Sequence, residues 1–504
     1  MIAKTSRKPG AVRQLPLLAV FLFTSNPAWS LDNTPWGNLK TEVGPDAEVP
    51  GWFINLGITG ARAMITQEAP TQLQVMFVFK KSPAFGKLEV GDKITGANKK
   101  TFSTAHKFGY GVGKFGYQGP MMDFANALEE SQGKLDGKLV LDVLRGDKKL
   151  QVELQVSVKY GAFSETYPFQ CKKSNFLLKE SCDWLCKAQL PDGTWSDRPH
   201  INAFAAMALL GSGDKRYLTE VKKAMNAMAE RTTGTGSQGL PTWDYTLYGT
   251  ALAEYYLITR EKWVLKELEE INQWLVQAQQ GKIAPPETEH ISGGFGHGFY
   301  TSGANGYGGM NITTAQAMTA WSLMERCGIP VDRARLAAAH EFIAKGTNEM
   351  GYVWYADAVG GDGYADMGRT GASAVAHFVD AAASPKFTSF SKRNARCIGK
   401  NPDTFTDTHG CPLLGLVWTG LGAATDPASL RKLMDHNRWS FSLSQCADGS
   451  FYYQPNRDNN PQDYTAGPRL AATAATALVL SIKEKKLQIT GAPPVLLPPI
   501  AKPK

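Results

Sequence analysis

The stretch QLPDGTWSD, Gln189 to Asp197, is written again as QCADGSFYY, Gln445 to Tyr453. The copies stand 256 residues apart and share a skeleton: Gln, two residues, Asp-Gly, a small hydroxyl residue, an aromatic ring. Asp-Gly makes a turn, because Asp bonds the backbone just ahead of it and Gly accepts a positive φ. A Gln at a helix end can reach backbone groups, and the ring can plug the gap between neighbouring hairpins. GGFGHG (293–298) and EMGYVWY (349–355) read as degraded copies at the same point of other hairpins. A unit repeated along a chain means that the fold is read from the repeat outward.

Helical periodicity begins at residue 174 and predicts twelve helices. They lie near 174–188, 199–211, 216–231, 243–258, 261–280, 312–327, 331–346, 368–382, 387–397, 411–423, 427–445 and 468–483. They alternate in character. LKELEEINQWLVQAQQ is charged and amphipathic, whereas INAFAAMALL, TTAQAMTAWSLM and RLAATAATALVL are apolar on nearly every face. A helix apolar all round is buried. Six buried helices alternating with six half-exposed ones predict an (α/α)6 toroid over 170–485; an open solenoid would read similarly.

Residues 50–160 have a different period. QLQVMFVFKKSPA is a strand ending at Ser82-Pro83-Ala84, and GPMMDFANALEESQG has a helical apolar face. KLVLDVLRGDKKLQVELQV is a hairpin about Arg-Gly-Asp-Lys. The order, the Ser82-Pro83-Ala84 step, Gly91-Asp92-Lys93-Ile94 and the closing hairpin resemble a PDZ domain. That resemblance implies capture of a peptide or protein C-terminus by strand addition. Its carboxylate loop would be Leu56, Gly57, Ile58, Thr59 and Gly60.

The repeated phrase resembles the QW repeat of squalene cyclases and of the wider terpenoid cyclase and prenyltransferase toroid. The whole chain resembles an exported bacterial family of unknown function that joins a PDZ-like module to such a toroid. GYGGMN (306–311), MGRTGASA (367–374) and HGCPLLGLVWTGLGAA (409–424) carry that resemblance. It brings no known activity.

A basic segment, the apolar run Leu15–Phe23 and Ala28-Trp29-Ser30 read as a signal peptide over 1–30. The chain is therefore expected in the periplasm or outside the cell, with no stable membrane span after cleavage. Lys4, Arg7, Lys8 and Arg13 lie in that leader, and removing them lowers the formal charge from +8 to +4. Nucleic acid is not an expected partner. Seven cysteines include no CxxC pair, and Cys182 and Cys186 sit one helical turn apart, awkward for a disulfide. No metal and no cofactor are expected. The Pro-rich tail 491–504 reads as disordered.

In a toroid the inner helices run parallel, so their N-termini meet at one mouth, where the field favours an anionic ligand. The segments feeding that mouth hold His297, His409, Asp362, Asp366 and Tyr307, the residue types for acid–base chemistry. His200, Trp243, Asp244, Asn311, Arg369, Asp407, Arg457, Asp463 and Tyr464 would line the cavity. The competing reading is that such residues cap helices and satisfy loop backbones. No Asp-x-Asp-Asp acid of a squalene cyclase appears. The resulting expectation is an exported binding protein: a PDZ-like module for a peptide or partner, and a toroid cavity for a polar or anionic ligand. The alternative is a glycan-directed hydrolase or lyase acting in the cavity.

Overall fold

The computed structural model describes residues 53–106, 118–232, 240–279, 293–299, 308–360, 367–380, 385–405, 412–452, 454 and 468–499. The N-terminal part is an antiparallel sheet of β1 (Ile54–Asn55), β2 (Ala61–Met64), β3 (Leu73–Val78), β4 (Lys93–Ala97), β5 (Lys100–Thr101), β6 (Lys138–Arg145) and β7 (Lys148–Gln155). The strand order is β1-β2-β3-β4-β6-β7, with β5 on β4. Helix α1 (Pro120–Lys134) packs Phe124, Ala125 and Leu128 onto Ile94, Leu139 and Leu141 of the sheet.

The remainder is helical. The outer helices are α2 (Lys172–Ala188), α4 (Leu218–Thr232), α6 (Val264–Ala278), α8 (Arg333–Lys345), α10 (Pro385–Lys400) and the pair α12 (Pro427–His436) and α13 (Arg438–Ser444). The inner ones are α3 (Pro199–Gly211), α5 (Pro241–Thr259), α7 (Asn311–Arg326), α9 (Gly368–Val379), α11 (Pro412–Ala423) and α14 (Pro468–Ser481). Each inner helix packs on the next, and α14 packs back on α3 and α2. The ring is closed, and the solenoid alternative falls. Small residues make this possible: Gly371 lies against the main chain of Trp418 and Thr419, so α9 and α11 touch backbone to backbone.

Among the described residues the repeated phrase is the joint of four hairpins. Gly193, Gly293, Gly351 and Gly449 all hold φ between +87° and +92°. Each presses on the next outer helix, at Lys223, Ala338, Arg393 and Glu180 respectively. Two residues on, a backbone N–H donates to a side chain near the start of an inner helix: Trp195 to Asn202, Phe295 to Thr314, Val353 to Thr370, Phe451 to Thr473. The last copy therefore docks on α2, the first outer helix, and closes the ring.

Two expectations are corrected here. The helix expected over 427–445 breaks at Asn437, whose amide donates to Pro402 O and Leu433 O. The break turns Trp439 and Leu443 of α13 into the core of the N-terminal sheet. The tail from 491 to 499 is ordered. It crosses the far end of the toroid, with Leu497 N donating to Arg326 O at 2.9 Å and Val495 N to Gln488 Oε1 at 3.2 Å. The buried Glu254 carboxylate anchors this strap by accepting from Gln488 N and Ile489 N, at 2.9 and 2.8 Å. Prolines bring no N–H that needs a partner, so an extended Pro-rich segment can lie on a protein surface cheaply. Among the described residues no helix is long and apolar enough to cross a membrane, and no disulfide forms.

Candidate functional site

The mouth is best defined between α3 and α5. Pro199 and Pro241 start these helices, where a missing N–H costs nothing. Thr242 N donates to His297 O at 3.0 Å, so the 293–299 segment seats on the first turn of α5. Trp243 Nε1 donates to His297 Nδ1 at 2.9 Å, and the two rings stack 6.2 Å apart. An indole only donates, so His297 accepts at Nδ1 and carries its proton on Nε2 when neutral. Burial holds its pKa below the ordinary histidine value.

Asp244 follows Trp243. Burial lifts its carboxyl to about 6, although Arg231 and His200 lie close enough to pull it down. Tyr248, one turn further along α5, is buried beside the Asn202 and Arg231 side chains. Asn202 in turn accepts from Trp195 N at 2.8 Å and donates to Ser196 O at 2.9 Å, tying the site to the first joint. Desolvation outweighs the pull of Arg231 and His200, so the site keeps a largely protonated carboxyl up to about pH 6.

The sequence-derived residues divide into three groups. His297, His200, Trp243 and Asp244 come together as described. Asn311 is at the start of α7, but its amide is spent on Trp354 O and Ala356 O at 2.9 and 2.7 Å, a clamp between hairpins. Arg369 is likewise engaged, with Nη2 3.3 Å from Tyr352 Oη and its guanidinium over the Tyr355 ring. His409, Asp362, Asp366, Tyr307, Asp407, Arg457, Asp463 and Tyr464 lie outside the described residues. Sequence reasoning missed Arg231, Asn202 and Tyr248. Tyr248 was findable, since it stands four residues after Asp244 on one helix face. Among the described residues no group of three or more His, Cys, Asp and Glu could hold a metal ion.

The expected peptide loop is closed. Leu56, Gly57, Ile58 and Thr59 are buried. A Cβ on Gly57 would stand 2.5 Å from Ser442 O of α13, and Asn55 donates to Leu443 O at 2.6 Å. β2 is paired on both sides, with β1 and with β3, which leaves it no free edge for strand addition. The chain's own α13 and β1 fill the place a peptide would take. This overturns the recruiting half of the binding-protein expectation.

Solved structures with a similar fold are enzymes. One is an inactive variant of the GH76A α-1,6-mannanase of Salegentibacter sp. HEL1_6 in complex with α-1,6-mannotriose, at 12% identity and TM-score 0.48, covering 62% of this chain and 99% of that one. Another is the GH76 α-mannanase BT2949 of Bacteroides thetaiotaomicron, at 14% identity and TM-score 0.47, covering 62% of this chain and 95% of that one. Both are named as glycan hydrolases, and a likeness this distant carries no argument about this chain's reaction. No curated protein matches the sequence. Residues 174–491, the closed ring up to the start of the strap, match the family model described as "Domain of unknown function (DUF6288)", and the chain belongs to that family.

Proposed function

We propose that this protein is a glycan-directed hydrolase whose reaction takes place at the toroid mouth, with Asp244 as proton donor. One observation carries the reading: a carboxyl held up at about 6 by burial on the first turn of an inner helix, beside the Trp243–His297 pair. A carboxylic acid of that kind can protonate a leaving glycosidic oxygen near neutral pH. Trp243 is half-buried, and its indole face is a surface on which a sugar ring can stack. His297 would position that indole rather than take the proton itself. The second carboxylate of such a mechanism would come from outside the described residues, where the sequence offers Asp362 and Asp366.

Export is part of the proposal, since the leader read over 1–30 would bring the chain to extracellular or periplasmic glycans. So is kinship of the sheet with PDZ domains and of the ring with squalene cyclases, as relations of fold without peptide capture.

The test is release of new reducing ends from a panel of α- and β-linked oligosaccharides by the full chain, against Asp244→Asn. Loss of 10²-fold or more in rate with binding retained supports the proton-donor role. Turnover unchanged in Asp244→Asn sinks it, and no turnover on any glycan sinks the hydrolase reading itself.

A further inference from the structure

Arg62 of β2 is fully buried at the seam between the sheet and the toroid. Its guanidinium lies between two rings, with Cζ 4.7 Å from the centre of Phe79 and 3.3 Å from that of Tyr452. Phe79 follows β3. Tyr452 follows the last joint, Gln445–Phe451, on the way to the mouth. Arg62 Nε and Nη1 have no hydrogen-bond partner, and among the described residues no carboxylate pairs with them.

The seam around it is built. Asn55, opposite Arg62 in the β1–β2 ladder, donates to Leu443 O at 2.6 Å and Gln445 O at 3.2 Å. Gln454 Nε2 donates back to Asn55 O at 3.4 Å. Two more buried polar atoms on these seam residues are unmet, Gln445 Nε2 and Gln454 Oε1. The one nearby ionisable thiol, Cys446, is held in its neutral form by burial, so it is no counter-ion.

A cation removed from water is costly unless it is paired, and buried polar atoms normally find partners. The two rings meet the faces of the guanidinium and offset part of that cost. They leave Nε and Nη1 unmet. A planar or tetrahedral oxyanion in the plane of the guanidinium would satisfy both, the geometry Arg favours for carboxylate and phosphate.

We propose that Arg62 marks a binding site for a small oxyanion, a carboxylate or phosphate group, held edge-on between Phe79 and Tyr452, and that its occupation fastens the N-terminal sheet to the toroid mouth. The group is either a free ion or the acidic end of a longer ligand such as a uronic sugar. The site is separate from Asp244 and does not depend on the hydrolase reading.

The experiment is thermal unfolding of the full chain titrated with sodium phosphate, acetate or glucuronate, at ionic strength fixed with sodium chloride. Arg62→Gln and Arg62→Lys are titrated alongside. The expected result is a midpoint that rises with the logarithm of ligand concentration above Kd, by on the order of 2 °C at roughly 100-fold excess. The rise disappears in Arg62→Gln and needs about tenfold more ligand in Arg62→Lys, which keeps the charge but loses the fork. Glucuronate acting well below acetate's concentration assigns the acid of a sugar; phosphate acting first assigns the free ion. A rise in simple proportion to concentration, or one that is equal in Arg62→Gln, is general salt exclusion and overturns the site. So does a wild-type midpoint that no anion moves, the behaviour of a guanidinium already met by the chain's own carboxylate. The logarithmic form is read on the wild type alone, so the proposal stays exposed even if Arg62→Gln does not fold.

Discussion

Gly193 and Gly449 stand at the same point of two copies of one turn, with φ of +87° and +90°. Around them the main chain is the same: Leu190 N donates to Thr194 O and Cys446 N to Ser450 O, both at 2.8 Å. The Asp side chains also agree. Asp192 Oδ1 accepts from the N and Oγ1 of Thr194, and Asp448 Oδ1 from the N and Oγ of Ser450. The surroundings differ. The first copy feeds Trp195 into the α3 start, one contact away from Tyr248 and Asp244. The last copy closes the ring and receives the N-terminal sheet. One phrase fixes the joint, then, and the neighbours decide whether the joint serves the mouth or the domain seam.

The largest expected asymmetry lies in the two aspartates. Asp448 also accepts from Trp184 Nε1 at 3.1 Å and pairs with Arg469, whose side chain is 3% exposed. Asp448→Ala removes the carboxylate of this buried pair while Arg469 keeps its bonds to Ser450 Oγ, and it is expected to cost about 3 kcal/mol. Asp192→Ala removes only turn hydrogen bonds at the surface and is expected to cost clearly less. Equal losses of denaturation midpoint would mean that the ring closure holds no more than any other joint.

The glycines come next and should agree rather than differ. A Cβ on Gly193 would lie 2.5 Å from Lys223 O, and one on Gly449 would lie 2.9 Å from Glu180 Cβ and 3.1 Å from its carbonyl oxygen. Both alanine variants are expected to lose about 2–3 kcal/mol, from the left-handed φ plus the clash, with Gly193→Ala the worse. A Gly449→Ala chain as stable as wild type would say that the ring is not clasped at this point.

The joints and the twelve helical positions were legible in the sequence because turn chemistry and apolar period are local signals. What escaped depended on partners far along the chain. The break at Asn437 is invisible, since Trp439 and Leu443 keep helical spacing whichever core they enter. The peptide loop read as open because what closes it is α13, 388 residues beyond Asn55. The strap read as disordered because its anchor, Glu254, lies 234 residues before Gln488. At the mouth, Trp243, Asp244 and His297 were legible as residue types. Arg231, at the end of an outer helix, carried no signal at all.

The glutamines give a smaller contrast. Gln189 Nε2 donates to both Gly193 O and Glu220 O at 2.9 Å, whereas Gln445 Nε2 is buried with no backbone carbonyl to donate to and lies only near the Tyr160 hydroxyl. Gln189→Ala is expected to cost about 1–2 kcal/mol and Gln445→Ala about half of that or less, by denaturant midpoint. Gln445→Ala costing as much would mean that its carbonyl oxygen does at the seam what the amide does at the first joint.

The smallest effect comes from the wall between α8 and α10, against which both joints serve as steric controls that pH should leave unchanged. His340 Nδ1 and His377 Nδ1 are 2.9 Å apart, and His340 Nε2 is 2.8 Å from Asp380 Oδ2. Arg333 Nη1 reaches Asp380 Oδ1 at 2.7 Å and also pairs with Glu325, while Phe387 and Phe390 stack on the rings and Arg393 adds a positive charge. Burial, then His340, holds His377 well below the ordinary histidine pKa of 6.5. Below about pH 6.5 the unfolded chain gains a proton that the folded chain refuses, so this contribution is present above that pH and lost as pH falls. The slope is at most about 1.4 kcal/mol per pH unit. Asp380, pulled down to about 2 against its own burial by His340 and Arg333, acts lower: its stabilisation is present above the ordinary 3.8 and lost toward 2. Asp244 and Glu254, held up at about 6 and about 7, contribute the opposite sign between about pH 4 and 7. The total slope is therefore a poor readout. The difference between wild type and His377→Leu isolates the wall, measured as denaturant midpoints at pH 7.5 and 5.5. The variant is expected to lose less on acidification, by up to about 1 kcal/mol. Parallel losses in both chains would mean that His377 takes up its proton without opening the wall.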